Sequence, residues 1–95
     1  MLSNYFFYMY EGLKVIGLSH DSSPIAIRES VAFSENESRN FLDRMREILG
    51  VEEALILSTC NRTEIYYTSD LDLSNAILNL LKIEKGIDQG IDSYF

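Results

Sequence analysis

The chain has 95 residues, of which 46% are hydrophobic, and its 15 acidic and 8 basic side chains leave a net charge of −7. This length allows one domain with a modest core, and this apolar fraction argues against disorder. No apolar run approaches the roughly 20 residues of a membrane-spanning helix, and the acidic balance argues against a nucleic-acid grip from this chain alone. The single cysteine excludes an internal disulfide and suits a reducing cytoplasm.

An aromatic-rich leader occupies residues 1–12. Because Tyr and Phe have high β-propensity, the leader is interpreted as a short edge strand or as a contact with a neighbouring chain. The first strand of the domain is predicted at 13–18, where Gly17 permits the close approach of another element. A polar turn then leads through Pro24 into a short helix or helical turn within 25–31.

Two amphipathic helices are predicted further along the chain. A capping-box pattern starts the first at Ser34, and Gly50 ends it. Asp72 or Ser74 caps the second, and Gly86 ends it. Helical spacing gives the first an apolar stripe of Phe41, Leu42, Met45, Ile48 and Leu49, and the second a stripe of Leu73, Ala76, Ile77, Leu80 and Leu81.

Three further strands complete the predicted order. Residues 54–57 are apolar without alternation, which is typical of a strand covered on both faces or shielded by a neighbour. Residues 63–68 alternate, with Ile65 and Tyr67 on one face, and residues 91–95 are interpreted as the start of a fourth strand. The order strand, helix, strand, strand, helix, strand predicts an α+β fold of the ferredoxin-like split βαβ type (βαββαβ). This fold has a four-stranded antiparallel sheet with both helices on one face.

A tight hairpin is predicted between the strands at 54–57 and 63–68, with the only cysteine, Cys60, at its polar tip. Exposure, a nearby guanidinium from Arg62 and free backbone N–H groups are the conditions that lower a thiol pKa. The pattern is therefore compatible with a reactive thiol or with an incidental loop cysteine. In the predicted topology the first and second strands run parallel with the third between them, so the end of the first strand lies beside this tip. Ser19 and His20 are therefore expected within one or two strand spacings of Asn61 and Arg62.

Two blocks of the sequence resemble the glutamyl-tRNA reductase family. Residues 58–66, Ser-Thr-Cys-Asn-Arg-Thr-Glu-Ile-Tyr, are similar to its signature. Gly-Leu-Ser-His at 17–20, followed by Pro24 and by Arg-Glu at 28–29, is similar to its opening segment. The resemblance implies that residues 13–95 are the family's catalytic domain, truncated before the NADPH-binding and dimerisation parts, behind the leader at 1–12.

The activity implied by the resemblance is the NADPH-dependent reduction of glutamyl-tRNA to glutamate-1-semialdehyde through a thioester on cysteine. This reaction is the first step of tetrapyrrole (porphyrin and heme) synthesis from glutamate. Position by position, Cys60 matches the nucleophile, and Thr59, Asn61 and Arg62 match substrate-binding neighbours. Ser19 and His20 are expected to support the site, His20 either as a catalyst or, preferably, by positioning its loop.

Cofactor and partner expectations follow from the same resemblance. No Gly-x-Gly-x-x-Gly fingerprint occurs in this chain, so NADPH is expected only in the full-length enzyme, and no metal-ligand spacing is present. The implied partners are glutamyl-tRNA, held weakly or not at all by this acidic chain alone, a second copy in a homodimer, and glutamate-1-semialdehyde aminomutase in the same pathway. Two rival interpretations are a non-catalytic ligand-binding or regulatory module on a ferredoxin-like scaffold and a merely structural piece.

Overall fold

Four strands and three helices make up the regular structure in the described residues, which a computed structural model places at 5–6, 12–19, 23–87, 91 and 94–95. The strands are β1 (Tyr5–Phe6), β2 (Leu13–Ser19), β3 (Ala54–Ser58) and β4 (Arg62–Thr68). The helices are α1 (Ile25–Ser30), α2 (Glu35–Leu49) and α3 (Ser74–Lys85). The predicted strands at 13–18, 54–57 and 63–68 and the predicted helices are confirmed. In the described part of the chain, no helix is long and apolar enough to cross a membrane.

Local sequence signals set the ends of both long helices. The Ser34 hydroxyl accepts the Glu37 N–H at 3.2 Å, and the Glu37 carboxylate accepts the Ser34 N–H at 2.8 Å, so the predicted capping box is confirmed. Gly50 ends α2 with φ of 70°, in the left-handed region that favours glycine. Ahead of α3, the Asp72 carboxylate accepts the N–H of Ser74 at 2.9 Å, which satisfies one of the free donors at that helix start.

The sheet has the strand order β1-β2-β4-β3, and every neighbouring pair is antiparallel. Because β4 runs antiparallel to both β2 and β3, those two strands are parallel with β4 between them, as predicted. The chain therefore forms a small α+β domain built on an antiparallel sheet with helices.

The predicted strand at 91–95 is wrong in its described residues. Tyr94 lies in a 3-10 turn, its N–H donates to the Ile91 carbonyl at 3.0 Å, and Ile91 and Phe95 are buried in the core. The edge of β2 that this strand was expected to fill is paired with β1 from the leader, and β4 fills the other edge. The edge-strand interpretation of the leader is therefore confirmed at 5–6. Because a strand has only two edges and β1 lies where the fourth strand of a ferredoxin-like sheet would pair, the ferredoxin-like arrangement is not confirmed. The rest of the leader lies outside the described residues.

One face of the sheet forms the core, and the other face is more open. Side chains of β2 and β4 that point to the core face pack in one cluster with residues of α2 and α3: Ile16, Leu18, Ile65, Tyr67, Phe41, Met45, Ile77 and Leu81. On the opposite face Leu55 is 61% exposed and Leu57 is 43% exposed, so β3 is not covered on both faces. Ile48 was also expected in the core but is exposed, because it lies at the edge of the α2 stripe whose centre is buried.

Candidate active site

The loop that carries the cysteine is a tight connection between β3 and β4. Residues 59–61 link the two strands, and the Thr59 N–H donates to the Arg62 carbonyl at 2.8 Å. The Asn61 N–H donates to the Thr59 hydroxyl oxygen at 3.2 Å, which closes the tip on itself. Cys60 is a free, exposed thiol at this tip, as predicted. The loop therefore presents its thiol to solvent on a short, internally bonded support.

Arg62 is the only basic side chain in the hairpin, and it is held on the open face of the sheet. Its Nη1 lies 3.6 Å from a carboxylate oxygen of Glu64, two residues further along β4. The same Glu64 carboxylate accepts the Tyr66 hydroxyl at 3.0 Å. The Arg62 side chain is still 46% exposed, and an ion pair this open adds little stability. The guanidinium therefore lies beside Glu64 but remains accessible to an anionic ligand.

The structure brings the end of β2 to the hairpin. Ser19 is the ladder partner of Arg62, so the last residue of β2 lies one strand spacing from the first residue of β4. The Ser19 carbonyl accepts the Ser23 hydroxyl at 2.6 Å, and Arg28 of α1 donates to the Ser23 carbonyl at 3.1 Å. The predicted proximity of the two motifs is confirmed for Ser19. His20 lies outside the described residues, and its predicted role stays a prediction.

Two hydroxyl residues at the root of the hairpin were not identified from the sequence as site residues. Ser58 and Thr63 are ladder partners, and their hydroxyl oxygens lie 3.2 Å apart. Thr63 is buried, and it donates to the Val31 carbonyl at 3.4 Å, while Ser58 accepts the Phe33 N–H at 2.9 Å. In the sequence, the period-2 alternation of β4 could have indicated Thr63, because it places this residue on the same buried face as Ile65.

A groove elsewhere on the sheet does not belong to this site. Its volume is about 620 Å³, and Leu13, Glu53, Leu55, Tyr66 and Thr68 contribute to its lining. These residues lie at the end of the sheet away from the tip that carries Cys60. Among the described residues, no group of three or more His, Cys, Asp or Glu side chains is arranged to hold a metal ion.

Comparison with known proteins identifies the family. The profile of the family described as "Glutamyl-tRNAGlu reductase, N-terminal domain" matches residues 16–93. A glutamyl-tRNA reductase of Cytophaga hutchinsonii is 48% identical over 79 residues, which are 83% of this chain and 19% of that protein. One of Rubrobacter xylanophilus is 44% identical over 79 residues, 82% of this chain and 18% of that protein. The chain thus spans about a fifth of the length of these relatives. It belongs to the glutamyl-tRNA reductase N-terminal domain family.

Proposed function

We propose that this chain supplies the nucleophilic thiol of a glutamyl-tRNA reductase. The observation that carries the proposal is the placement of Cys60, a single exposed thiol at the apex of a tight hairpin that also holds Arg62. Thiolates are strong nucleophiles toward activated carbonyls, and an exposed tip leaves room for a macromolecular substrate to approach. The family membership of the chain supports the same assignment.

The chemical step assigned to this chain is acyl transfer. The Cys60 thiolate attacks the carbonyl carbon of the glutamyl ester, a C–S bond forms, and the C–O bond to the tRNA ribose breaks. The ribose oxygen leaves with the bonding electron pair and takes a proton, which gives free tRNA and a glutamyl thioester on Cys60. A thioester accepts hydride more readily than an oxygen ester does.

The reduction that follows is assigned to NADPH held outside this chain. The glycine fingerprint that would cradle its pyrophosphate is absent from the sequence, so the residues present do not fit this cofactor. The homodimer, the transfer of product to glutamate-1-semialdehyde aminomutase and most of the tRNA grip are likewise proposed for the full-length enzyme. A catalytic thiol has to stay reduced, which favours a cytoplasmic location.

Three neighbours of Cys60 are proposed to bind the substrate. Arg62 pairs with the glutamate side-chain carboxylate, because a guanidinium fork offers two parallel donors to the two oxygens. Thr59 and Asn61 contribute polar groups on either side of the thiol, and both residues are exposed at the tip. Ser19 is proposed to support the site from the neighbouring strand, where it faces Arg62 in the ladder. His20 is proposed to position its own loop, which follows Ser19 in the sequence.

The decisive experiment incubates the 95-residue chain with glutamyl-tRNA and measures the intact protein mass. A glutamyl adduct is expected on the wild-type chain, and hydroxylamine should remove it, since thioesters are cleaved by this nucleophile. Cys60→Ser is the matched control, because it changes one atom at an exposed position and should carry no hydroxylamine-sensitive adduct. Absence of an adduct from a folded wild-type chain whose thiol alkylates with iodoacetamide would contradict the proposal and favour a non-catalytic module.

A further inference from the structure

A series of hydrogen bonds joins the root of the hairpin, which is the pair of Ser58 and Thr63, to the segment between α1 and α2. The Thr63 hydroxyl donates to the Val31 carbonyl at 3.4 Å, so its single hydrogen is used there. In the 3.2 Å contact between the two hydroxyls, Ser58 is consequently the donor and Thr63 the acceptor. Ser58 in turn accepts the Phe33 N–H at 2.9 Å. The bonds run from Phe33 through both hydroxyls to Val31, and each group has a partner.

The segment at the other end of these bonds is itself fixed. The Lys85 ammonium of α3 donates to the Ala32 carbonyl, lies 4.6 Å from the centre of the Phe33 ring, and pairs with Glu37 at 3.0 Å. Only 11% of the Lys85 side chain is exposed. Residues 31–33 therefore offer the hairpin a support that both long helices stabilise.

We infer that Thr63 is a positioning residue for Cys60, an inference that rests on the proposed function. Next to the pair of Ser58 and Thr63, the Thr59 N–H donates to the Arg62 carbonyl and closes the loop that carries Cys60. Cys60 is exposed in the loop between Ser58 and Arg62, so the placement of its backbone depends on the two strand ends that the pair of Ser58 and Thr63 holds together. Thr63 is the one buried residue of that root, with 1% of its surface accessible.

Positioning affects a guided reaction more than an unguided one. Transfer of glutamate from tRNA requires the thiolate to approach the carbonyl along one direction, and a misplacement of about 1 Å costs such reactions up to about 100-fold. A small reagent such as iodoacetamide reaches an exposed thiol from many directions. Loss of the Thr63 hydroxyl should therefore slow glutamyl transfer and leave alkylation nearly unchanged.

The test compares three variants with the wild-type chain. Thr63→Val keeps the shape of the side chain and removes the hydroxyl, and Thr63→Ser keeps the hydroxyl. The matched control is Tyr67→Phe, which removes a hydroxyl on the same face of β4, where Tyr67 is 1% exposed and bonds the Leu73 N–H at the far end of the strand. If Thr63→Val does not fold, Ser58→Ala replaces it, because it also removes the hydrogen bond between Ser58 and Thr63.

The expected result distinguishes a positioning role of Thr63 from a merely structural role. At saturating glutamyl-tRNA, Thr63→Val should form the Cys60 adduct about 10-fold to 100-fold more slowly, with the half-saturating concentration unchanged. Thr63→Ser should restore most of the rate, and Tyr67→Phe should match the wild type even though it also lowers the melting temperature. All variants should alkylate with iodoacetamide within about twofold of one another. Wild-type transfer by Thr63→Val, or an equal loss in Tyr67→Phe, would overturn the inference.

Hydrogen exchange distinguishes failure of this inference from failure of the proposed function. If the wild-type chain forms no glutamyl adduct, the proposed function fails, but the effect of Thr63 on the loop that carries Cys60 can still be measured. The Thr59 amide, which is bonded to the Arg62 carbonyl, should exchange faster in Thr63→Val than in the wild type and should be unaffected in Tyr67→Phe. An unchanged Thr59 amide in Thr63→Val would overturn the inference whatever the transfer assay shows.

Discussion

Ser19 and Arg62 are direct partners in the ladder between β2 and β4. This pairing brings the end of the first strand of the domain to the base of the loop that carries Cys60. It also joins two sequence blocks that resemble the same family but lie far apart along the chain. Since neighbouring strands are about 4.8 Å apart, side chains from both blocks can contact one substrate.

Replacing Arg62 by Lys should weaken the selection of glutamate. Lysine keeps the positive charge but lacks the planar fork that bonds both carboxylate oxygens at once. We expect Arg62→Lys to lower the preference for glutamyl-tRNA over glutaminyl-tRNA by about tenfold, the effect of losing one charge-assisted bond of about 1.5 kcal/mol. The measurement is the ratio of adduct formation rates from the two acylated tRNAs.

The control for Arg62→Lys is Glu64→Gln, which removes the carboxylate that lies 3.6 Å from Arg62 and keeps the guanidinium. This variant frees Arg62 for the substrate, so it should retain the preference for glutamate or increase it. If Arg62→Lys discriminates as well as the wild type does, Arg62 has a structural role only.

Replacing Gly17 by Ala should disturb Glu64. A Cβ at position 17 would lie 3.0 Å from the Glu64 Cγ, which is closer than two carbon atoms normally pack, and 3.4 Å from the Thr63 carbonyl oxygen, which is an ordinary contact distance. We expect Gly17→Ala to lower the free energy of unfolding by about 1 kcal/mol. Urea denaturation of the purified chain measures this change.

A double-mutant cycle identifies the cause of that loss. In a Glu64→Ala background the crowded atom is absent, and Gly17→Ala should then be neutral or stabilising by about 0.5 kcal/mol, because alanine restricts the unfolded chain more than glycine does. The same loss in both backgrounds would show that the Thr63 carbonyl, and not Glu64, limits the space at this position.

Acid should destabilise the chain through Glu37. Its pKa lies below the ordinary value of 4.5, first because its carboxylate accepts the Ser34 N–H and then because it bonds the Lys85 ammonium. A carboxyl group with a lowered pKa in the folded state binds protons more readily when unfolded. Its stabilisation is therefore present above pH 4.5 and is lost as the pH falls below that value towards the folded-state pKa.

The pH dependence is checked by thermal unfolding of wild type and Glu37→Gln between neutral pH and acid. The difference in melting temperature between the two should shrink as the pH falls below 4.5. The control is Glu52→Gln, a change at an exposed carboxylate between α2 and β3. A difference between wild type and Glu37→Gln that stays constant through this range would contradict the assignment.

The chain alone should consume glutamyl-tRNA without oxidising NADPH. The thioester on Cys60 is expected to form and then to hydrolyse slowly, since the sequence lacks the glycine fingerprint of a dinucleotide site. The assay follows the loss of glutamyl-tRNA and the absorbance of NADPH in one mixture. Cys60→Ser sets the background, and any NADPH oxidation above that background would refute the expectation.

Local patterns in the sequence determined the helix ends, the hairpin and the family. The capping box at Ser34, the glycine stop at Gly50 and the alternation of β4 each depend on residues within a few positions of one another, so the sequence displays them directly. The block around Cys60 is likewise continuous in sequence. These features could therefore be predicted without coordinates.

The tertiary structure alone decided which segments meet. The free edge of β2 has the same backbone donors and acceptors for β1 as for residues 91–95, and no local pattern shows which segment pairs there. The exposure of Leu55 and Leu57 depends on both long helices covering the same face of the sheet. The bond from Thr63 to the Val31 carbonyl joins residues 32 positions apart, and such a contact leaves no trace in either segment because a hydroxyl can bond any carbonyl that folding brings within reach.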